Sequence, residues 1–198
     1  MKTKVVILCG GMGTRLREET EYRPKPLVEI GGRPILWHIM KIFAHYGFKD
    51  FVLCLGFKGE MIKEYFLTYR LMNNDFTLRL GTPEEPEVYG PNLKDDWSIT
   101  FAETGLEAST GTRLKRIERH IKEDHFMVTY GDGVADIDIN RLWEFHQRHG
   151  KVGTVTGVRP SSRFGEFAAE KGVVTEFREK PQAHNEFVNG GFFVFRRQ

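Results

Sequence analysis

Cysteine is scarce in this sequence, and long apolar segments are absent from it. The 198 residues include two cysteines, Cys9 and Cys54, and each lies in an apolar, strand-like run. We therefore expect buried free thiols, which fit a reducing compartment, and no disulfide framework. The apolar run from Val5 to Cys9 is too short for the core of a signal peptide or for a membrane span. These features predict a cytoplasmic protein that does not associate with a membrane.

Metal-binding patterns of cysteine and histidine are also missing. The spacing of the two cysteines offers no metal site. His38, His45, His120 and His146 are spread over segments of helical character, and their spacing matches no set of metal ligands. The sequence gives no reason to assign these histidines a role.

The sequence does not carry an excess of one charge. Its formal net charge is +2, and basic and acidic residues are interspersed along the chain. The nearest approach to a basic cluster lies within residues 113–119. For Lys115, Arg116 and Arg119 we favour the solvent-facing side of a helix. The sequence therefore predicts no nucleic-acid partner.

Short apolar runs of strand length alternate along the chain with segments of helical periodicity. Residues 4–8 form a β-branched run that predicts a strand. Apolar side chains recur at helical spacing over residues 34–46, with Pro34 at the first position of the predicted helix. Further strands are predicted at residues 51–55, 126–130, 152–158, 173–177 and 191–195, and further helices at residues 58–69, 110–121 and 138–149, the last with Asp138 as N-cap. This alternation predicts an α/β fold in which helices cover both faces of a mostly parallel sheet.

The alternation lapses between residues 73 and 102. Two strand-like pieces, residues 76–80 and 98–101, flank a polar stretch that contains prolines. We expect an insertion or a hairpin at the edge of the sheet.

The strongest local signal follows the first predicted strand, where residues 8–16 read LCGGMGTRL. Three glycines in four positions let the backbone turn sharply, and consecutive N–H groups in such a turn favour an anion. The loop lacks the Gly-Lys-Ser/Thr ending of a P-loop, and Leu16 stands where a dinucleotide-binding loop has its third glycine. The motif indicates a phosphate-binding loop, with a ligand-free strand-to-helix turn as the alternative.

Two cations near this loop favour the phosphate-binding alternative. Arg15 lies just past the glycines, and Lys25 stands between Pro24 and Pro26. Because the prolines restrict the local backbone, we expect Lys25 on a stiff, extended segment that aims its ammonium at a phosphate. Phosphoryl and nucleotidyl transfers use cations placed in this way. An ordinary exposed loop lysine is the alternative.

These motifs together resemble the sugar-nucleotide pyrophosphorylases. The resemblance rests first on GGMGTRL at residues 10–16 and PKP at residues 24–26. The segments that favour the glucose-1-phosphate cytidylyltransferase branch are EIGGRPILWHIM at residues 29–40, TGTRLKR at 110–116, FMVTYGDG at 126–133 and NGGFF at 189–193. The resemblance implies a Rossmann-like mixed sheet of the nucleotide-diphospho-sugar transferase type.

The resemblance also implies roles for individual residues. Arg15 and Lys25 would be the catalytic residues, with Lys25 at the α-phosphate and Arg15 on the nucleotide phosphates. The residues that would bind the nucleotide are Leu8, Cys9, Gly10, Gly11, Met12, Gly13, Thr14, Arg15, Lys25, Thr110, Arg113 and Gly131. The residues that would bind the sugar phosphate are Glu179, Lys180, Asn189 and Gly190. For Glu179 and Lys180 the residues alone would favour an exposed ion pair of little energetic consequence.

Asp132 is the metal ligand that the resemblance implies, for Mg²⁺ as cofactor. It follows a buried predicted strand, where ligands bind in open parallel sheets, and glycines flank it. Mg²⁺ favours one or two carboxylates together with phosphate oxygens and water. An Asp-Gly turn without a metal is the alternative.

The implied reaction transfers a cytidylyl group from CTP to α-D-glucose 1-phosphate and releases pyrophosphate. Other possibilities are a UTP- or dTTP-dependent transferase on the same scaffold, and a catalytically weak binding domain for nucleotide or sugar phosphate. The family usually continues past the Asn-Gly-Gly strand and carries a second magnesium-binding aspartate there. We therefore expect residues 1–198 to form a single nucleotidyltransferase domain that lacks the C-terminal part of the family fold and assembles as a homo-oligomer.

Overall fold

The computed structural model describes residues 3–11, 22–90, 95–159, 166–178 and 187–198. The strands in these residues are β1 (Lys4–Leu8), β2 (Glu29–Ile30), β3 (Arg33–Pro34), β4 (Asp50–Leu55), β5 (Asp75–Thr77), β6 (Glu87–Tyr89), β7 (Ser98–Glu103), β8 (His125–Tyr130), β9 (Gly153–Val158), β10 (Glu166–Glu170), β11 (Val173–Arg178) and β12 (Val188–Arg196). The α-helices are α1 (Ile35–His45), α2 (Gly59–Leu67), α3 (Tyr69–Met72), α4 (Thr110–Arg116) and α5 (Ile139–His149). None of the helices in this part of the chain has the length and apolar character needed to cross a bilayer.

Six strands form the central sheet in the order β7-β4-β1-β8-β12-β9. The neighbours from β7 to β8 run parallel, whereas β12 lies antiparallel between β8 and β9. The inner parallel strands are short apolar runs because both of their faces are buried. The predicted mixed, mostly parallel sheet is confirmed.

Helices cover both faces of this sheet. Val5 and Ile7 of β1 point into one core, which they share with buried residues of α1, α2 and α5. Val6, between them, points into a second core that contains Ile117 and Ile121, just after α4. The alternation of side chains along a strand therefore divides β1 between two cores, as the α/β pattern predicted.

Asp138 is the N-cap of α5, as expected, whereas Pro34, expected as the first residue of α1, lies one residue before that helix. Pro34 is the cap of α1, and the Asp138 carboxylate accepts the Arg141 amide at 3.0 Å to cap α5. The helix predicted over residues 110–121 is shorter, since α4 ends at Arg116 and a 3-10 turn (Glu118–His120) follows. The change of geometry at Ile117 keeps Ile117 and Ile121 buried against the sheet.

Residues 73–102 differ in part from the expected insertion. The first strand-like piece is shorter than predicted: β5 pairs with β6 in a small exposed hairpin. The second piece becomes β7, which lies parallel to β4 at the edge of the main sheet. Asp95, just before β7, accepts hydrogen bonds from Tyr69 Oη at 2.8 Å and Lys41 Nζ at 3.0 Å. These contacts tie the segment before β7 to α1 and α3.

A buried histidine and two partly buried ones join α5 to the sheet. His146, only 1% exposed, contacts His125 Nδ1 at 3.0 Å through Nε2 and Thr154 Oγ1 at 2.8 Å through Nδ1. His149 Nε2 lies 2.6 Å from the same Thr154 hydroxyl. Burial, and then the neighbouring His125 and His149, lower the pKa of His146 below its ordinary value of 6.5. His146 is therefore held as a neutral imidazole in the folded protein.

The stability of the fold should fall as the pH drops below about 6.5, the ordinary histidine pKa. In that range the unfolded chain gains a proton at residue 146 that the folded chain resists. Urea unfolding from about pH 8 to about pH 5 should show this loss. His146→Gln should be less stable at pH 8 by about 1–3 kcal/mol, because buried hydrogen bonds are lost, but its stability should depend less on pH.

His45→Gln provides the matched control, since His45 is an exposed histidine on another helix. It should retain the pH dependence of the parent protein. If His146→Gln instead loses stability with pH as steeply as the parent, His146 is not the group responsible.

Candidate functional site

A pocket of about 300 Å³ opens where β1 and β8 end at the same edge of the sheet. This is the position at which open parallel sheets bind ligands. The residues that line it are Leu8, Cys9, Gly10, Gly11, Lys25, Pro26, Ala108, Ser109, Thr110, Arg113, Tyr130 and Asp132. The pocket thus brings together eight predicted site residues from four separate segments of the sequence.

Gly10, the first residue of the glycine motif, packs directly on a buried arginine. A Cβ atom added to Gly10 would overlap the Arg113 guanidinium, so no other residue fits this position without displacing it. The Gly10 carbonyl accepts a hydrogen bond from Arg113 Nη2 at 2.9 Å and one from the Phe57 amide at 3.3 Å. Gly11, next in the chain, is exposed and borders the pocket.

Arg113 forms the floor of the pocket and is only 5% exposed. Its acceptors, at 2.7–3.1 Å, are the carbonyl oxygens of Gly10, Leu55, Gly105 and Leu106 and the hydroxyl of Thr104. In the described parts of the chain no carboxylate pairs with it. Burial lowers the pKa of Arg113, yet a guanidinium stays protonated at neutral pH. The pocket therefore lies above a positive charge that is balanced only by dipoles.

Lys25 enters the pocket from a tight turn. The expected extended conformation is wrong, because Lys25–Leu27 form a 3-10 turn. Backbone hydrogen bonds from Leu27 to Pro24 (2.8 Å) and from Val28 to Lys25 (3.0 Å) hold this turn. The flanking prolines permit it because neither missing N–H is needed for these bonds. Lys25 Nζ lies 3.5 Å from Asp132 Oδ2.

Gly131 allows the ends of β1 and β8 to lie close together. Its amide donates to the Leu8 carbonyl at 3.0 Å. A Cβ atom at this position would lie 3.0 Å from both Cys9 Sγ and the Leu8 oxygen, a tight contact that would require these neighbours to shift by a few tenths of an ångström. Glycine at this position therefore lets β1 and β8 approach closely without displacing Cys9 or Leu8.

Asp132 presents a carboxylate at the pocket edge, with its side chain 46% exposed. The described residues contain no group of three or more histidine, cysteine, aspartate or glutamate side chains able to hold a metal by themselves. A single accessible carboxylate beside the pocket fits Mg²⁺, which takes many of its ligands from phosphate oxygens and water. Asp132 therefore suits a cation that arrives with a substrate and does not suit a closed protein cage.

Asn189 and Gly190 lie on β12, behind the residues that line the pocket. The Asn189 amide nitrogen donates to Tyr130 Oη at 3.3 Å, and its oxygen accepts the Gly191 amide at 2.8 Å. A Cβ atom at Gly190 would lie 2.9 Å from the Thr156 carbonyl, so the backbones of β12 and β9 approach closely here. Asn189 connects with the pocket through Tyr130.

The two cysteines are buried, as the sequence predicted. Burial, together with the adjacent Cys54 and Asp132, raises the pKa of Cys9 well above its usual range. Burial also raises the pKa of Cys54 to about 12. Both groups are therefore neutral thiols, which are poor nucleophiles and poor metal ligands.

Some predicted site residues lie outside the described residues. They are Met12, Gly13, Thr14 and Arg15 in the first motif and Glu179 and Lys180 in the later one. Their proposed contacts with substrate stay predictions.

Four residues of the pocket were missed by the sequence reasoning: Pro26, Ala108, Ser109 and Tyr130. Two of them had a recognisable signal. Ser109 caps α4 by accepting the Thr112 amide at 3.3 Å, and a serine ahead of a helical segment is a capping pattern. Tyr130 is the last residue of β8, next to Gly131, which the motif had already marked.

Comparison with known proteins identifies a family. The sequence profile of the nucleotidyl transferase family matches residues 4–198. Glucose-1-phosphate cytidylyltransferase of Salmonella typhi is 49% identical over 192 residues, which cover 96% of this chain and 74% of the relative. Mannose-1-phosphate guanyltransferase of Kluyveromyces lactis is 32% identical over 199 residues, which cover 96% of this chain and 49% of the relative.

Solved structures show the same fold at lower sequence identity. HddC from Yersinia pseudotuberculosis superposes with a TM-score of 0.66 at 23% identity, covering 98% of this chain and 76% of that one. A UDP-glucose pyrophosphorylase in complex with UDP-glucose gives a TM-score of 0.65 at 15% identity, covering 99% of this chain and 76% of that one. The chain is thus a member of the nucleotidyl transferase family.

Proposed function

We propose that this protein transfers a cytidylyl group from CTP to α-D-glucose 1-phosphate, giving CDP-glucose and pyrophosphate. The observation that carries the proposal is the meeting of Lys25 and Asp132, 3.5 Å apart, beside Gly10 and Gly11 at the carboxyl edge of the sheet. We choose CTP as the nucleotide because the relative named glucose-1-phosphate cytidylyltransferase is 49% identical to this chain, whereas the relative named mannose-1-phosphate guanyltransferase is 32% identical.

The reaction needs no nucleophile from the protein, because the attacking group is already an anion. An oxygen of the sugar phosphate attacks the α-phosphorus of CTP, and the bond to the β-phosphate breaks as pyrophosphate leaves. The protein must hold two polyanions together and align them, which accounts for much of the rate enhancement in such reactions. Lys25 supplies a fixed positive charge for the α-phosphate, and the buried Arg113 raises the potential of the pocket.

Mg²⁺ fits the site as a cation held by Asp132 and by the triphosphate oxygens, where it would offset charge on the leaving pyrophosphate. The pair formed by Lys25 and Asp132 is partly exposed, with side chains 21% and 46% accessible. Such a pair contributes little to stability. Breaking this ion pair therefore costs little free energy. Lys25 would then bind the substrate phosphate, and Asp132 would bind the cation.

The remaining substrate contacts follow from the position of the pocket. Leu8, Cys9, Gly10 and Gly11 would hold the base and ribose, with Thr110 opposite them. By family resemblance, Thr14 and Arg15 would bind the nucleotide phosphates. Glu179, Lys180, Asn189 and Gly190 would bind the sugar phosphate, and the contact of Asn189 with Tyr130 supports this side of the pocket for the sugar.

The setting of the enzyme is also part of the proposal. CDP-glucose synthesis would supply a nucleotide sugar for polysaccharide such as O-antigen, and the buried thiols fit a cytoplasmic location. A homo-oligomer is supported by the apolar side chains exposed on the β10–β11 hairpin, where Phe167 is 64% and Phe177 62% accessible.

Pyrophosphate release tests the proposal directly. The protein is mixed with glucose 1-phosphate, Mg²⁺ and one of CTP, UTP, dTTP, ATP or GTP at a time. We expect release with CTP alone. Release with UTP or dTTP would identify a different transferase on this scaffold, and no release with any nucleotide would leave a binding domain.

Lys25→Ala should lower kcat/KM by about a hundredfold or more, as expected for the loss of a charge that stabilises the transition state. Its unfolding free energy should change by less than about 0.5 kcal/mol, because the pair with Asp132 is partly exposed. Steady-state kinetics and urea unfolding measure the two effects.

Lys49→Ala is the control, since Lys49 also forms an exposed pair with an aspartate, Asp96 at 2.8 Å, but lies away from the pocket. It should leave kcat/KM unchanged. Near-normal turnover by Lys25→Ala would remove Lys25 from the mechanism.

Asp132→Asn should raise the Mg²⁺ concentration needed for half-maximal activity by about tenfold or more, the effect of losing about 1.4 kcal/mol of binding. The amide keeps the size of the side chain but loses the charge that the cation requires. A Mg²⁺ titration of turnover at saturating CTP measures this shift. An unchanged Mg²⁺ dependence would mean that Asp132 does not hold the cation.

A further inference from the structure

We propose that Arg113 is a positioning residue, which sets the nucleotide-binding turn by holding the Gly10 carbonyl. The inference rests on the proposed function for its consequence in binding. Its physical basis is the contact between Arg113 Nη2 and the Gly10 oxygen, 2.9 Å long and joining residues 103 apart in the chain.

The Gly10 carbonyl determines the direction of the next amide. A trans peptide is planar, so the carbonyl oxygen of Gly10 and the N–H of Gly11 point in opposite directions. Arg113 and the Phe57 amide both bind this oxygen from the protein side. The Gly11 N–H is thereby turned away from the guanidinium, and it has no acceptor among the described residues. In this orientation it would donate to a nucleotide bound in the pocket that Gly11 borders.

Arg113 can hold this peptide because it is itself fixed at several points. Nη1 donates to the carbonyls of Leu55 and Gly105 and to the Thr104 hydroxyl, at 2.7–3.1 Å. Leu55 is the last residue of β4, and Thr104 and Gly105 directly follow β7; these two strands and β1 are consecutive in the sheet, in the order β7-β4-β1. One guanidinium therefore links the ends of three neighbouring strands.

A lysine could not take over this role. Its ammonium would keep the charge, but it lacks the planar fork that reaches the carbonyl of Gly10 from one nitrogen and that of Leu55 from the other. Arg113→Lys thus separates the effect of charge from the effect of geometry. Arg113→Ala removes both.

Arg116 provides a matched control on the same helix. It donates to the Thr104 carbonyl, at the same end of β7, but makes no contact with Gly10 in the described structure. Arg116→Lys should therefore leave both the turn and nucleotide binding unchanged.

The first readout is amide hydrogen exchange in the nucleotide-free protein, measured by NMR. The Phe57 amide reports on the turn, because it donates to the Gly10 oxygen at 3.3 Å. We expect its exchange to accelerate by about tenfold in Arg113→Lys and Arg113→Ala, and to stay unchanged in Arg116→Lys. A residue that acts only by touching nucleotide would leave this exchange unaltered, and that result would overturn the proposal.

The second readout is the affinity for CTP and UTP. Loss of hydrogen bonds from a charged donor should weaken binding by about tenfold to a hundredfold, by the same factor for both nucleotides, since a positioned amide does not read the base. A loss confined to CTP would show that Arg113 contacts the base directly and would overturn the positioning role. Millimolar guanidinium should partly restore CTP affinity to Arg113→Ala by filling the vacated site.

The two readouts keep this proposal distinct from the proposed function. If the parent protein binds no nucleotide, the proposed function fails, while faster Phe57 exchange in the Arg113 variants would still establish Arg113 as the group that orders the turn. If nucleotide binds normally and Phe57 exchange is the same in all variants, the positioning role fails and the proposed function stands.

Discussion

The parallel pairing of β1 with β8 determines where the chemistry of this protein lies. Leu8 and Tyr130, the last residues of the two strands, are register partners, and Gly131 continues the contact by donating to the Leu8 carbonyl. The glycine turn and Asp132 must therefore emerge side by side. A slip of one residue would exchange the two faces of β1 and expose one of its cores, so core packing protects the alignment of the site.

The charged side chains of the pocket have polar partners within the protein even when no substrate is bound. Arg113 is buried with no carboxylate partner in the described chain, and carbonyl and hydroxyl oxygens solvate it instead. These neutral acceptors satisfy the guanidinium without cancelling its field. Lys25, by contrast, pairs with Asp132 at the surface, where the pair is weak. Arg113 thus keeps its charge at the bottom of the pocket whether or not substrate is bound. Lys25 and Asp132, at the pocket edge, can each change partner when substrate binds.

Much of the fold and part of the site could be predicted because their signals are local. The periodicity of apolar residues predicted the inner strands and most helices. Three further local signals marked residues that line the pocket: the glycine motif, the lysine between prolines and the aspartate after a strand. The support role of Arg113 could not be predicted, because it depends on acceptors in distant parts of the sequence, such as Gly10, which lies 103 positions away. The hydrogen bonds of the buried His146 were missed for a similar reason: its partners, His125 and Thr154, lie on two strands and carry no fixed spacing.

The chemistry of Cys9 has a consequence for the cell that uses this protein. A sulfur atom lies in the wall of the pocket, but burial keeps it protonated and 1% exposed. Oxidants and electrophiles react with accessible thiolates, and the described pocket presents none. Peroxide that silences enzymes built around a reactive cysteine should therefore leave Cys9 unmodified.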